Sequence, residues 1–139
     1  PQFLPRDVNE RYTKMMEAMQ KDIGKRLYLE SGYRSSAYQL YLFIDSLKNH
    51  NYSIRETAKY VALPGYSEHG CPRRQALDFI NEDGVNGDGN PQEFEDLPEY
   101  AWLTKNAGKF GFILSYPKDA NEGITYEPWH WRIKGKETP

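Results

Sequence analysis

The amino-acid sequence predicts an α+β fold in which helices pack against a small antiparallel sheet. Two observations lead to this prediction. Apolar residues recur at helical spacing near the N-terminus, whereas the later apolar runs are short and are bounded by glycine, proline, asparagine or aspartate, as strands are. The length of 139 residues fits one domain over residues 1–139, and the chain shows neither an internal repeat nor a linker.

Four helices are predicted, each from a starting signal and an apolar pattern. Asp7 and Glu10 resemble a capping box, and the apolar stripe that follows ends at Gly24. Serines precede the second and third helices, and Pro98 suits the first turn of the fourth. The predicted ranges are 7–23, 35–48, 53–60 and 98–109.

Four strands are predicted between and after these helices, over residues 27–30, 76–80, 112–115 and 129–133. Two loops surround the second strand, at residues 66–75 and 81–92. The second loop is rich in Gly, Asn and Asp and superficially resembles a calcium loop, but it lacks the full EF-hand pattern. A plain flexible loop is therefore preferred, with bound calcium as the alternative.

Composition excludes several classes of function. The net charge of −2 and the pI of about 6.0 indicate no basic face, so nucleic acid is not an expected partner. No apolar run approaches the ~20 residues that cross a bilayer. Cys71 is the only cysteine, which excludes an internal disulfide and leaves the compartment open. Because the chain begins at Pro1 rather than Met, we expect a processed or trimmed fragment.

The three histidines are the first candidates for chemistry. His50 lies in a polar turn after a helix and is expected at the surface. His69 precedes the strand that carries Asp78, and His130 begins the last strand. Two imidazoles and one carboxylate suffice for a hydrolytic zinc site with one open position. Glu127, three residues before His130, could serve as a base that does not bind the metal.

Other interpretations of the same residues are open at this point. A histidine on a strand is often a satisfied core residue, and the aspartate could simply cap a turn. The helix-borne HExxH pattern is absent, which excludes that form of zinc protease.

The motifs resemble those of the D-alanyl-D-alanine carboxypeptidases of the VanY type. This zinc peptidase family also includes D-Ala-D-Ala dipeptidases and some phage endolysins. The matching motifs are Ser67-x-His69, Ala76-x-Asp78 and Glu127-x-Trp129-His130. Segments 31–35, 64–69, 98–103 and 126–132 are similar too, so the resemblance covers nearly the whole chain in family order.

The resemblance implies a role for each candidate residue. It implies zinc on His69, Asp78 and His130, in a cleft beside the sheet, with Glu127 shuttling the proton. Arg34 would stabilise the oxyanion or hold a substrate carboxylate, for which a guanidinium fork is suited; a surface ion pair is the alternative.

Three further residues are given roles for which their own chemistry is a weaker argument. Gln39 is expected to contact the substrate, by family similarity. Ser67 would either bond the substrate terminus or only shape its loop, and Glu68 is expected to point away from the metal in a structural role.

One departure from the family pattern lies between the first two ligands. The family has six residues between its histidine and aspartate, whereas eight separate His69 from Asp78 here. Arg74 stands where the family has glycine, so the loop is expected to bulge outward. Cys71 would be a free thiol or, alternatively, a competing ligand; Arg73 and Arg74 would form a solvated rim or touch an acidic substrate.

The implied activity is that of a zinc D,D-carboxypeptidase acting on peptidoglycan stem peptides, as a monomer in the bacterial cell envelope. An L,D-carboxypeptidase, a D-Ala-D-Ala dipeptidase and an endolysin-type endopeptidase are the alternatives within the family. An inactive, metal-stabilised wall-binding module is the alternative of another class. A cytoplasmic or phage-lysin origin is also open.

Overall fold

The computed structural model describes residues 1–119, 123 and 125–135. It confirms the α+β class: a four-stranded antiparallel sheet, in the order β1-β2-β4-β3, has helices packed on it. The strands are β1 (Tyr28–Ser31), β2 (Ala76–Ile80), β3 (Phe112–Leu114) and β4 (His130–Ile133). The helices are α1 (Arg6–Ile23), α2 (Ser36–Asn49), α3 (Ile54–Thr57), α4 (Pro91–Glu95) and α5 (Pro98–Asn106). Within this described part, no helix is both long and apolar enough to cross a membrane.

The two faces of the sheet have different chemistry because side chains alternate along each strand. Leu77 and Phe79 of β2, with Trp131 of β4, belong to the buried core formed with α1 and α5. Asp78 and His130 lie between these apolar positions and therefore face the opposite side. One face thus stabilises the fold, and the other carries polar side chains that are nevertheless buried.

The start of α1 differs from the prediction. The helix begins at Arg6, one residue early, and its N-cap is Pro5, which makes no side-chain capping bond. The expected capping box is therefore wrong: Asp7 lies inside the first turn, where its negative charge interacts favourably with the helix dipole. The helix ends as predicted at Ile23, and Gly24 adopts a left-handed φ of 67°.

The boundaries of the other helices differ from the predicted ones by a few residues. Ser35 and Ser53 do cap α2 and α3, accepting the backbone N–H of Tyr38 and Glu56. The four-residue α3 is shorter than predicted, and the end of the fourth predicted helix is a 3-10 turn, Ala107–Phe110. The helix α4 was not predicted, because its five residues fall at the end of a Gly- and Asn-rich segment.

The loop after β2 is closed by hydrogen bonds from side chains within the loop itself. The side-chain oxygen of Asn81 accepts the N–H groups of Asp83 and Val85. Asn86 donates to the Phe79 carbonyl and accepts the N–H of Asp88. The side-chain oxygens of Asn81 and Asn86 thus already accept hydrogen bonds, and bound calcium stays an untested alternative for this loop.

Candidate metal centre

Three side chains that lie far apart in the sequence meet on the polar face of the sheet. His130 of β4 stands directly opposite Asp78 of β2 in the antiparallel register. His69 reaches them from a 3-10 turn, Glu68–Gly70, that precedes β2. All three residues are buried, and one ligand atom of each lies within 4.8 Å of the others. The structure therefore brings together the three residues that the sequence predicts as ligands.

A backbone carbonyl orients the ring of His69. Its Nδ1 lies 2.7 Å from the carbonyl oxygen of Gly32, so Nδ1 carries the proton and donates it. The other nitrogen, Nε2, is buried and has no hydrogen-bond partner in the described part of the chain. It lies 3.1 Å from Oδ2 of Asp78, but not in hydrogen-bond geometry. A lone pair facing a carboxylate at this distance is what a cation between the two would stabilise.

The ring of His130 lies between two carboxylates. Its Nδ1 is 2.8 Å from Oδ1 of Asp78, and its Nε2 is 3.0 Å from Oε2 of Glu68. The ring also stacks on Tyr116, with centroids 4.8 Å apart. Because Glu68 accepts the Nε2 proton, Nδ1 is the atom presented to the cation site. The donor set of two imidazole nitrogens and one carboxylate fits a zinc ion.

Neighbouring charges shift the pKa values at this centre. Burial alone would raise the pKa of Asp78, but the electrostatic interaction with His69 and the hydrogen bond from His130 hold that pKa far below its usual range. Burial alone would lower the pKa of His130, but its hydrogen bonds to Asp78 and Glu68 raise it to about 9. The centre therefore favours positive charge, as a cation site must.

Glu127 lies beside the three ligands without belonging to them. The N–H of His130 donates to the carbonyl oxygen of Glu127, 3.1 Å away, which closes a tight turn and brings both side chains into one cleft. Oε2 of Glu127 is 3.8 Å from Nδ1 of His130, beyond hydrogen-bond distance. Burial raises the pKa of Glu127 to about 7, and the positive charge of His130 partly opposes this. A carboxylate placed this way can exchange protons with a group in the cleft.

Arg34 is fixed from both sides at the edge of the centre. Its Nη2 donates to Oδ2 of Asp78, 2.8 Å away, and its Nε donates to Oγ of Ser31, 2.7 Å away. Its backbone N–H donates to the carbonyl of His69, which ties the two loops together. Only 20% of the side chain is exposed, so this is not the surface ion pair considered as the alternative.

Gln39 and Ser67 both line the same cleft, which has a volume of about 670 Å³. Nε2 of Gln39 donates to the carbonyl of Ala62, while its buried Oε1 has no partner among the described residues. Oγ of Ser67 accepts the N–H of His69, so Ser67 does shape the loop that carries the first ligand.

Glu68 points away from the cation site, as expected, but its carboxylate contacts the His130 ring rather than solvent. Residues 68–70 form a 3-10 turn, which directs the Glu68 carboxylate to the far side of the His130 ring. Ser67 begins that turn as its cap, and this cap was the only signal in the sequence. Sequence reasoning also missed Tyr116. The chain contains many aromatic residues, and nothing in the sequence distinguishes this one from the others.

The lengthened loop between His69 and Asp78 contains a second 3-10 turn, Pro72–Arg74. Arg74 from this turn is exposed, as expected of a solvated rim, and it pairs with Glu68, Nη2 to Oε1 at 3.1 Å. Arg73 is exposed. Cys71 is a free thiol and is not part of the ligand group within the described residues.

His50 is not fully solvated as expected, but half-buried. Its Nδ1 lies 2.9 Å from the carbonyl oxygen of Ser46, and its ring stacks on Tyr60 with centroids 4.9 Å apart. The reason is that the chain turns back after α2, which brings Tyr60, just beyond α3, over the ring. These contacts give His50 a role in local packing, and it is not one of the three grouped ligands.

Comparison with known proteins identifies what this arrangement is similar to. A family model described as D-alanyl-D-alanine carboxypeptidase, VanY, matches residues 2–136. The D-alanyl-D-alanine carboxypeptidase of Enterococcus faecium is 31% identical over 138 residues, which are 96% of this chain and 38% of that protein. The chain spans 28% and 48% of two other curated relatives, so it matches less than half the length of each of the three.

Solved structures share the fold across almost the whole chain. The LdcB LD-carboxypeptidase superposes with a TM-score of 0.79 and 30% identity, covering 96% of this chain and 60% of that one. A vancomycin-resistance D,D-pentapeptidase VanY, in complex with Zn(II), superposes with a TM-score of 0.72 and 27% identity, covering 94% and 72%. The second of these is a zinc-bound protein of the same fold.

Proposed function

We propose, because the chain belongs to the VanY family of D-alanyl-D-alanine carboxypeptidases, that it is a zinc-dependent D,D-carboxypeptidase. Its substrate would be the terminal D-Ala-D-Ala bond of peptidoglycan stem peptides, and residues 1–139 would form one catalytic domain. The observation that carries the proposal is the meeting of His69, Asp78 and His130 in one buried group beside the Glu127 carboxylate. An inactive wall-binding module would have no need of that carboxylate.

The metal would be held by Nε2 of His69, the carboxylate of Asp78 and Nδ1 of His130. A zinc ion in such a site supplies Lewis acidity, which polarises a carbonyl and makes water a better nucleophile at neutral pH. The protein contributes the orientation of each ligand: the Gly32 carbonyl holds one ring, and Glu68 holds the other.

Glu127 would move the proton. Its carboxylate is close to the metal ligands but outside the ligand group, so it is available to take a proton from the attacking water. The same group would then return that proton to the departing amine of D-alanine, which leaves the carboxylate ready for the next substrate.

Arg34 would stabilise negative charge on the substrate. Two of its nitrogens are bound to Ser31 and Asp78, and no hydrogen bond involves Nη1 within the described residues. A guanidinium held in this way can donate from Nη1 to an oxyanion or to a terminal carboxylate.

The rest of the cleft would bind the peptide. The unpartnered Oε1 of Gln39 is a buried acceptor, which suits an N–H group of the substrate. The Ser67 hydroxyl uses its oxygen to cap a turn, and its proton remains available for donation to the substrate terminus.

An L,D-carboxypeptidase is the second candidate, because the LD-carboxypeptidase LdcB superposes with a TM-score of 0.79. The two activities differ in the residue that precedes the cleaved bond, not in the metal chemistry. Both would place the enzyme's substrate in the bacterial cell envelope, and a monomer is sufficient because one chain supplies all the proposed groups.

Defined peptides would test the proposal. Elemental analysis should give about one zinc per chain, lost on chelation and regained on adding metal. Mass spectrometry should then show loss of one D-alanine from a pentapeptide stem ending in D-Ala-D-Ala. Cleavage of a tetrapeptide stem alone would indicate the L,D-activity, and cleavage of free D-Ala-D-Ala alone a dipeptidase. Equal cleavage of an amidated stem would indicate an endopeptidase, and zinc-loaded protein inert on every peptide would refute the enzyme.

A further inference from the structure

The Glu68 carboxylate connects the candidate metal centre to two arginines. One oxygen, Oε2, accepts from Nε2 of His130 at 3.0 Å. The other, Oε1, lies 3.1 Å from Nη2 of Arg74 and 3.1 Å from Nε of Arg132. The side chains of Glu68 and Arg132 are only 14% and 18% exposed, whereas that of Arg74 is 54% exposed.

Each partner comes from a different part of the fold. Arg132 lies two residues after His130 on β4 and therefore on the same face of the sheet. Glu68 is in the turn that carries the first ligand, and Arg74 is in the next turn, Pro72–Arg74. The carboxylate thus accepts a hydrogen bond from Arg74 of the loop and forms an ion pair with Arg132 of the sheet, whose Nε is not in hydrogen-bond geometry. Both cations oppose rotation of the carboxylate away from the imidazole.

We propose that Glu68, held by Arg74 and Arg132, is a positioning residue that fixes His130 with Nδ1 towards the metal. The inference rests on the metal centre proposed above. With Nε2–H donated to Glu68, the imidazole has one tautomer when it binds a cation, and its lone pair is on Nδ1. Without Glu68, the ring could rotate or place its lone pair on the wrong nitrogen.

Arg74 distinguishes positioning from simple electrostatics. Removing a positive charge near a dication site should strengthen zinc binding if only the Coulomb interaction matters. Positioning requires the opposite, because the Glu68 carboxylate loses the guanidinium from the loop side. Arg73 provides a matched control: it has the same charge in the same turn and is exposed.

The experiment titrates metal-free protein with zinc against a chromophoric chelator. Glu68→Gln should weaken zinc binding by about 10–100-fold, the usual range for losing an outer partner of a metal-bound histidine. Arg74→Ala leaves Glu68 in place and should therefore weaken binding by less than that range, roughly 3–10-fold, and Arg73→Ala should leave it unchanged. Because Arg74 acts through Glu68, adding Arg74→Ala to Glu68→Gln should cause no further loss. Wild-type affinity in Glu68→Gln, or stronger binding in Arg74→Ala, would overturn the proposal.

Side-chain ¹⁵N NMR of metal-free protein gives a second, metal-independent measurement. The wild type should show a slowly exchanging proton on Nε2 of His130, and Glu68→Gln should lose that protection. If the wild type binds no zinc, the proposed function fails, and the NMR result alone decides whether Glu68 orients the ring. Unchanged His130 signals in Glu68→Gln would refute the positioning role in either case.

Discussion

Replacing Glu127 with glutamine isolates the proposed proton transfer from metal binding. Glutamine has nearly the same shape as glutamate, but its amide cannot accept the proton of the attacking water. The Glu127 carboxylate makes no side-chain hydrogen bond within the described residues and lies 3.8 Å from the nearest His130 nitrogen. The substitution therefore removes the base without breaking a contact that holds the fold or the ligands.

The expected loss follows from this geometry. A general base contributes roughly 10²–10⁴-fold in rate, which corresponds to about 2.7–5.4 kcal/mol of activation free energy at 1.36 kcal/mol per factor of ten. Because a buried carboxylate becomes a neutral amide and no partner is orphaned, the free energy of unfolding should change by less than about 1 kcal/mol. Zinc content should stay at about one ion per chain.

The assay measures D-alanine released from a pentapeptide stem, with zinc content and thermal unfolding recorded on the same samples. Glu82→Gln is the matched control, since Glu82 is exposed and its ion pair with Lys25 is long, at 3.9 Å. The control should retain wild-type kcat. Zinc-loaded, folded Glu127→Gln with near-normal kcat would remove this carboxylate from the mechanism.

Three further substitutions test the ligands, the arginine and the loop that holds the first ligand. His130→Ala should abolish tight zinc binding, and elemental analysis showing stoichiometric zinc would contradict the ligand set. Arg34→Lys keeps the charge but loses the fork, so steady-state kinetics should show a lower kcat with little change in KM; unchanged kcat and KM would exclude it. Gly32→Ala would press a Cβ against the Phe3 carbonyl and displace the metal-site loop, lowering stability by about 1–3 kcal/mol and weakening zinc binding. Gly108→Ala meets nothing within 4 Å and should leave both unchanged in denaturant and zinc titrations.

The sheet and the place of the ligands could be predicted because both depend on local patterns. An apolar strand that contains one aspartate, Asp78, directs that side chain away from its apolar neighbours whatever the rest of the chain does. The same alternation places His130 and Trp131 of β4 on opposite faces. Family resemblance then supplied the remaining candidates, and the structure brings Arg34 into contact with Asp78.

The outer contacts could not be predicted because they depend on short turns. Whether Glu68 contacts the His130 ring or faces solvent depends on a three-residue 3-10 turn, because an extended segment would direct this side chain differently. Its partners Arg74 and Arg132 are 6 and 64 residues away, so no spacing in the sequence relates them. The helix α4 was not predicted for a similar reason: a helix of little more than one turn is too short to show an apolar periodicity.

The two additional residues between His69 and Asp78 do not displace the ligands because different parts of the fold fix them. Strand register places Asp78 opposite His130, independently of the preceding loop. His69 is fixed from the other end: its ring donates to Gly32, and its carbonyl accepts the N–H of Arg34. The loop between these two fixed residues can be longer without moving them, because only the positions of its two ends matter. A 3-10 turn accommodates the added length. In this protein that turn also carries the arginine that pairs with Glu68, so the added length contributes a contact to the surroundings of the centre.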